Sequence, residues 1–321
     1  MTMRHTTKMG PVRARILPHS HWSRLLTESR NPRSLNLDRM ATEKIVTLLL
    51  DEDRLALIEA KKKARDVASA ARLVANAFST GGRTIFLGAG TSGRLGVLEA
   101  AECPPTFGTR PEMILGIMAG GEDAVFRAKE GSEDRVDRGE QAVATVTSKD
   151  VVVGISASSV TPFVRAALKK ARDRRAKTVL VTCAPQARLS KFADVVIAIR
   201  TGPEVLTGST RLKAGSATKA VLNAITTAAM VRVGKAYTNF MVDLKQTSKK
   251  LEDRARRMVA NAACVDLTEA DRLVRAADNE VKTAIVMGLL HLDAPTARKR
   301  LEAGGGHVRK ALNGARRSKR R

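Results

Sequence analysis

The sequence predicts an α/β fold in which a five-stranded parallel sheet is flanked by helices, followed by a C-terminal helical subdomain. Short apolar runs alternate with segments of helical period, a pattern typical of parallel sheets that are covered on both faces. The runs expected to form strands lie near residues 83–88, 113–119, 151–156, 178–183 and 194–199. At 321 residues and 43% hydrophobic content, the chain can bury one large core.

Helices are expected before and after the sheet. A helical stretch from about residue 42 to residue 78 is ended by the glycines at 81–82. Past about residue 210 the strand pattern disappears, and a long Ala-rich helix over 213–234 precedes several shorter ones. The first stretch has one apolar stripe that we expect to be buried, formed by Leu55, Ile58, Val67, Ala71, Val74 and Phe78.

Charge and composition suggest how the chain is divided. Lys and Arg outnumber Asp and Glu by 57 to 32, and both ends of the chain are basic without acidic residues. Aromatic residues are only 3% of the chain, too few for stacking on nucleic acid, so no specific nucleic-acid partner is expected. We predict a basic disordered tail at 1–25 and a sheet domain with an N-terminal helical segment at 26–240. A helical subdomain at 241–312 and a second basic tail at 313–321 follow.

Apolar segments and cysteine spacing indicate the location of the protein and the state of its cysteines. The sequence has no run of about 18 uncharged apolar residues, so no membrane partner is expected. Its N-terminal residues contain no apolar run of secretory length, so we expect a cytoplasmic protein. Cys103, Cys183 and Cys264 are widely spaced and form no CxxC pair, which predicts neither a zinc site nor a disulfide framework.

The run from residue 84 to residue 95 reads as a buried strand, a glycine-rich turn and the start of a helix. Gly88 and Gly90 allow a tight turn, and Thr91 or Ser92 can cap the helix while its free N–H groups face an anion. The spacing matches neither the dinucleotide fingerprint nor the nucleotide P-loop. A cradle for a monophosphate is therefore predicted, with an ordinary strand-to-helix turn as the alternative.

Two further turns follow predicted strands, at residues 120–121 and 156–161. Because ligands in parallel sheets bind outside the carboxyl ends of the strands, we expect these turns and the first one to converge on one pocket. A fourth segment, residues 202–215, has hydroxyls and cations at the start of the long helix. It is either another anion or sugar contact or simply the cap of that helix, through Ser209 or Thr210.

Carboxylates are the candidates for acid and base chemistry, because histidines are scarce in the predicted sheet domain. Glu102 precedes Pro104 and Pro105, which we expect to end its helix; the helix end and partial burial would raise its pKa, as suits a general acid. Glu133 follows Gly131 and would lie in a helix first turn, where the dipole favours an ionised base. The alternative for either residue is a solvated surface group.

The chain resembles the N-acetylmuramic acid 6-phosphate etherases of the sugar isomerase (SIS) superfamily, from about residue 26 to residue 312. The matching strings are TESRNPRSLNLD at 27–38, GAGTSGRLGVLEAAECPPTFG at 88–108, MAGGEDA at 118–124, EGSED at 130–134, GPEVLTGSTRLKAG at 202–215 and NFMVD at 239–243. The resemblance implies a SIS-type three-layer fold. It also implies a homodimer.

In that family the D-lactyl ether of the sugar is cleaved by elimination and water addition, without a metal or organic cofactor. By resemblance, Glu102 is the proton donor and Glu133 the base, and the substrate is a phosphorylated amino sugar. The implied substrate-binding residues are Gly90, Thr91, Ser92, Gly93, Arg94, Ser156, Ser158, Thr161, Glu204 and Ser209.

Three residues depart from the family pattern. Ser159 stands where a glycine is common and is expected to strain a backbone of positive φ, Val160 replaces an arginine that could bind an anion, and Ala41 replaces a serine. The alternatives to an etherase are a non-catalytic sugar-phosphate sensor resembling the glucokinase regulatory proteins and a SIS-type transcriptional regulator. The transcriptional regulator is disfavoured because residues 1–80 show no clear helix-turn-helix pattern.

Overall fold

A computed structural model describes residues 25–246 and 248–318, without the side chains of 314–318. The strands of its central sheet are β1 (Thr84–Gly88), β2 (Ile114–Met118), β3 (Val151–Ile155), β4 (Lys177–Thr182) and β5 (Val195–Ala198). This sheet is parallel, with strand order β2-β1-β3-β4-β5. The predicted five-stranded parallel sheet and the position of every strand are therefore confirmed.

Helices cover both faces of the sheet. They are α1 (Thr42–Lys61), α2 (Ala64–Ser79), α3 (Gly90–Phe107), α4 (Asp123–Phe126), α5 (Val136–Ala142), α6 (Pro162–Asp173) and α7 (Lys213–Arg232). Alternate residues of a strand point to opposite faces, so Phe86 packs with α1, α2, α3 and α7, whereas Ile85 and Leu87 pack with α6. The result is the predicted three-layer arrangement.

The first helical stretch is two helices, with a break at residues 62–63. The buried residues of α1 recur every four positions, at Leu48, Glu52, Ala56 and Ala60. The prediction that Leu55 and Ile58 are buried is wrong, because they lie off this stripe and are 42% and 44% exposed. Ala41 is the N-cap residue of α1 and provides no side-chain hydrogen bond, so this helix lacks a cap that typically contributes about 1 kcal/mol.

The prediction that helix α3 ends before Pro104 and Pro105 is wrong. The helix continues through Pro104 and Pro105 to Phe107 and is closed by Gly108 in the left-handed conformation, whose N–H donates to the Pro104 carbonyl at 2.9 Å. Cys103 and Phe107 are buried in the main core. Their burial offsets the backbone hydrogen bonds that the prolines remove.

The C-terminal region is helical, as predicted, except for a short hairpin formed by β6 (Ala236–Tyr237) and β7 (Phe240–Met241). Its helices are α8 (Lys249–Ala263), α9 (Leu267–Ala276), α10 (Val281–Leu290), α11 (Ala294–Ala303) and α12 (Val308–Ser318). They bury a hydrophobic cluster of their own between Val242 and Ala311. The domain boundary near residue 240 stays a prediction.

The first predicted tail lies almost entirely outside the described residues, and the second lies partly within them. Residues 1–24 are not described, whereas α12 extends to Ser318, so residues 313–318 are helical rather than the start of a tail. Cys103, Cys183 and Cys264 are free thiols. Within the described ranges, no helix is both long and apolar enough to cross a membrane.

Candidate functional site

A cleft of about 410 Å³ opens at the carboxyl ends of β1 and β3. Two of the three predicted loops line it, the one after β1 and the one after β3, together with the segment that carries Glu133 and the N-terminal segment that carries Glu28. The third predicted loop, the glycine turn at 120–121, does not line the cleft. It packs against the segment that carries Glu133, because a Cβ on Gly120 would lie 2.9 Å from the Ser132 hydroxyl. The lining residues are Leu25, Glu28, Ala89, Gly90, Glu133, Asp134, Ser158, Val160, Thr161 and Pro162.

The loop after β1 brings the start of α3 into the cleft. Gly90 has a φ of +55°, which favours glycine, and a Cβ on Gly93 would lie 2.5 Å from the Gly88 carbonyl oxygen, so the turn requires glycine at position 93. The helix begins at Gly90, and its N-cap is Ala89 rather than Thr91 or Ser92 as predicted. With no side-chain cap, the first-turn N–H groups can bind an anion.

The loop after β3 is held by short hydrogen bonds. The hydroxyls of Ser156 and Thr161 lie 2.8 Å apart, and Ser158 lines the cleft. Ser159 has a φ of 57°, which confirms the predicted positive φ at this non-glycine residue. Its side chain is fully buried and accepts a hydrogen bond from the Leu189 N–H at 3.1 Å, which ties the loop to the segment after β4.

Glu133 lines the cleft, but its local structure differs from the prediction. It lies in a three-residue 3-10 turn, Ser132–Asp134, after a left-handed Gly131, and not in the first turn of an α-helix. Glu28 and Asp134 add two further carboxylates, whereas none of the described residues that line this cleft is a lysine or an arginine. Arg188 lies in an adjoining pocket of about 160 Å³ that shares Ser158 with the cleft.

Glu102 is not among the residues that line this cleft. It lies twelve residues after Gly90 on α3, which corresponds to about 18 Å along the helix axis. It is exposed and five residues before the end of the helix, so neither the partial burial nor the helix-end position that we predicted is found. One chain therefore does not bring Glu102 and Glu133 into the same cleft.

Several predicted substrate contacts have partners within the chain. The Arg94 guanidinium donates to the carbonyls of Val125 and Ala124 at 2.7 and 2.8 Å. The Glu204 carboxylate accepts the N–H groups of Lys213 and Ala214 at 3.3 and 2.9 Å, so this side chain, and not Ser209 or Thr210 as predicted, caps α7. Thr91, Ser92 and Ser209 are half-buried, Gly93 and Ser156 are buried, and none of the five lines the cleft.

A buried charged group that the sequence analysis missed holds the N-terminal segment in place. Glu52 accepts hydrogen bonds from Asn31 at 3.0 Å and from Arg33 at 2.8 Å, and it pairs with Lys213. Burial raises the pKa of Glu52, but the bonds and charge of Lys213 and the bonds from Asn31 and Arg33 outweigh it and hold this pKa below its usual value. The signal in the sequence was the four-residue spacing that places Glu52 on the same helix face as Leu48, Ala56 and Ala60, because a buried glutamate is normally paired.

Glu99 is a second buried carboxyl that the sequence analysis missed. It faces α7, where it accepts hydrogen bonds from Asn223 and Thr226. Burial raises its pKa, and the nearby charge of Glu102 adds to that effect. Its position on the buried stripe of α3, with Gly96, Cys103 and Phe107, was again the available signal.

Comparison with family models gives the class of protein. The model described as "Glucokinase regulatory protein N-terminal SIS domain" matches residues 66–172, and the model described as "SIS domain" matches residues 133–228. The matched ranges contain β1 to β5 and both loops of the cleft. The fold and the cleft thus define a SIS-domain protein.

Close relatives narrow this class to one family of enzymes. The chain is 48% identical over 293 residues to the N-acetylmuramic acid 6-phosphate etherase of Salinibacter ruber, covering 90% of this chain and 94% of that protein. It is 49% identical to the etherase of Geobacillus thermodenitrificans, covering 90% and 98%. The chain therefore belongs to the N-acetylmuramic acid 6-phosphate etherase family.

Among solved structures, the phosphoheptose isomerase GmhA from Neisseria gonorrhoeae is 18% identical to this chain, with a TM-score of 0.44 over 60% of this chain and 98% of that one.

Proposed function

We propose that the protein is a lyase that cleaves the D-lactyl ether of N-acetylmuramic acid 6-phosphate, giving N-acetylglucosamine 6-phosphate and D-lactate in the recycling of cell-wall amino sugars. Its family membership supports this proposal. The observation that carries it is that Glu133, from the EGSED string, lines the same cleft as Gly90 and Ser158. A candidate base and two anion-binding loops are thus within reach of one small molecule.

The 6-phosphate would bind where the two loops meet. The free N–H groups at the start of α3 and the hydroxyls of Ser158 and Thr161 offer hydrogen bonds to phosphate oxygens. The positive end of the helix dipole adds to this attraction. Val160 leaves the cleft without the guanidinium that the family pattern would supply.

The reaction we propose has two steps. Glu133 removes the proton from C2 of the sugar, the C2 electron pair forms a C2=C3 double bond, and the C3–O bond breaks. Glu102 protonates the departing lactyl oxygen, which releases D-lactate. Water then adds its hydroxyl to C3 and a proton returns to C2, so this is hydro-lyase chemistry. General acid and base groups each contribute about 10²- to 10⁴-fold to the rate of such steps.

The two glutamates would act together in a homodimer. Glu102 is about 18 Å along α3 from its own phosphate loop, farther than a glutamate side chain reaches. We therefore infer that Glu102 of a second copy completes the cleft that contains Glu133. Exposed apolar residues on one face of α1, namely Val46, Leu50 and Leu57, at 48%, 64% and 44% exposure, are suited to such an interface. A cytoplasmic location fits the three free thiols.

A non-catalytic sugar-phosphate regulator is the second candidate function. Two observations favour it. Residues 66–172 match the glucokinase regulatory protein model, and position 160 is a valine where the etherase family commonly has an arginine. Such a protein would bind a sugar phosphate in the same cleft without releasing lactate. Catalysis is thus the property that separates the two candidates.

The test is incubation of the purified protein with N-acetylmuramic acid 6-phosphate and an assay of D-lactate. We expect lactate from the wild type and a loss of about 10²- to 10⁴-fold in kcat for Glu133→Gln and for Glu102→Gln. Glu130→Gln, at a nearby exposed position, is the matched control and should retain activity. Absence of lactate from a folded wild type that still binds the sugar phosphate would establish the regulator instead.

A further inference from the structure

A second cleft, of about 590 Å³, lies between the end of α3 and the C-terminal helices. It is separated from the Glu133 cleft by the length of α3, about 27 Å for its 18 residues. Its walls come from Gly108, the segment around Asp243, the first turn of α10 and one side of α11. No step of the proposed reaction uses it.

Two lysines in this cleft share one carboxylate oxygen. The Nζ atoms of Lys235 and Lys282 each lie 2.8 Å from Oδ2 of Asp243, and the three side chains are 24%, 14% and 17% exposed. One positive charge of this group is therefore uncompensated. Burial lowers the pKa of Lys282, and the charge of Lys235 adds to this effect, although Asp243 opposes both.

The surplus charge is local to these three residues, because none of the other described charged side chains that line the cleft forms an ion pair with Lys235, Lys282 or Asp243. The Arg298 guanidinium is bound to Glu280 at 2.9 Å and to Asp278 at 2.6 Å. Lys245 and Glu302 add one charge of each sign. Four of the described lining side chains are cationic and three are anionic, and Asp278, outside the lining, is the second carboxylate bound to Arg298.

The walls of the cleft are tightly built. Asp278 and Asn279 adopt consecutive left-handed conformations, with φ of 53° and 65°, and Asn279 is held by its N–H bond to Val274 at 2.9 Å and by Gln246 at 2.7 Å. A Cβ on Gly108 would lie 2.3 Å from the Asp243 carbonyl oxygen, so the end of α3 packs directly on this segment. These contacts fix the backbone on two sides of the cleft.

We propose that this cleft binds a small anion, through a phosphate or carboxylate group, between the ammonium groups of Lys235 and Lys282. The anion neutralises the charge that Asp243 leaves uncompensated, and it accepts charge-assisted hydrogen bonds from both lysines. It also joins the C-terminal helices to the end of α3. This site does not depend on the etherase reaction.

The test is isothermal titration of the full chain with inorganic phosphate and, separately, with D-lactate at constant ionic strength. The two titrations distinguish a phosphate group from a carboxylate as the preferred ligand. We expect wild type to bind one more equivalent of at least one anion than Lys282→Met does, because the variant loses the site between the two lysines. The loop at Gly90 should still bind phosphate in both proteins, so the difference between them counts only the lysine site. Lys299→Met, an exposed lysine on α11, is the control and should match wild type.

A second variant keeps the test decisive if Lys282→Met is poorly folded. Asp243→Asn removes the shared carboxylate, and the two lysines should then bind the anion about ten-fold more tightly or better. Circular dichroism melting of each variant monitors its fold. Equal stoichiometry and affinity for wild type and a folded Lys282→Met, or no gain of affinity in a folded Asp243→Asn, would overturn the proposal.

Discussion

Lys213 of α7 forms an ion pair with Glu52 of α1, and both side chains are only 5% exposed. Asn31 bonds the same carboxylate and also donates to the Pro203 carbonyl at 3.1 Å. One buried charge pair therefore joins α1, α7 and the N-terminal segment. Because Glu28 lies three residues before Asn31 and lines the cleft, this pair also fixes one wall of the candidate active site.

Removing the cation of this pair should destabilise the protein strongly. Lys213→Met leaves the Glu52 carboxylate buried without its main partner, and we expect the free energy of unfolding to fall by about 3–5 kcal/mol. Urea unfolding measures it. Lys219→Met, at an exposed lysine of the same helix, should change it by less than about 0.5 kcal/mol. Similar losses for the two variants would show that the pair is not important for stability.

Mixing two inactive variants should restore activity if the active site is shared between subunits. In a heterodimer of Glu102→Gln and Glu133→Gln chains, one of the two sites contains both native glutamates. Random reassociation should then recover about a quarter of wild-type kcat, because half of the dimers are heterodimers with one working site each. D-lactate release after co-refolding measures this. A mixture that stays inactive while forming dimers would mean that both glutamates act within one chain.

The left-handed conformation of Ser159 should make glycine more stable than alanine at this position. Ser159→Gly and Ser159→Ala both lose the hydroxyl that accepts the Leu189 N–H, so their difference isolates the backbone strain at a φ of 57°. We expect Ser159→Gly to be more stable by about 1 kcal/mol. Thermal unfolding of the pair measures the difference, and a more stable alanine variant would contradict the prediction.

Placing an arginine at position 160 should tighten substrate binding. Val160 lines the cleft, whose described lining contains three carboxylates and no cation, so a guanidinium there can bind a phosphate or carboxylate of the substrate. We expect Val160→Arg to lower KM by up to about ten-fold with little change in kcat. Val160→Met, of similar length without the charge, is the control. If both variants had the same KM, charge at this position would be unimportant.

Buried Glu99 should make stability fall as pH rises. Burial raises its folded-state pKa above 4.5, so the folded state retains a proton that the unfolded state loses. Stability from this group is complete below about pH 4.5 and declines as pH rises through the folded-state pKa.

Glu99→Gln removes this proton equilibrium. Urea unfolding at several pH values should show the variant gaining on wild type from acid to neutral pH. Glu112→Gln, at an exposed position, should show no such trend. A difference between Glu99→Gln and wild type that is constant with pH would contradict the assignment.

The sequence by itself was sufficient to predict the sheet and two of its loops. Buried parallel strands are continuous β-branched and apolar runs, so β1 to β5 can be recognised from residues that are adjacent in the chain. The tight turn at glycines 88, 90 and 93 was predictable because backbone conformation depends on local residue type, whereas the positive φ at Ser159 was expected only from the glycine that the resembling family has there. The cleft at the carboxyl edge follows from the topology of such sheets.

Only the tertiary structure decided where helices end and which carboxylates are buried. Pro104 and Pro105 remain helical because Cys103 and Phe107 pack into the core, and Glu52 is buried because Lys213, far along the chain, pairs with it. Likewise, Glu102 is distant from the Glu133 cleft because it lies twelve residues along α3 from Gly90, where the helix begins. These outcomes depend on contacts between residues that are distant in the chain, and the free energies of those contacts exceed local conformational preferences.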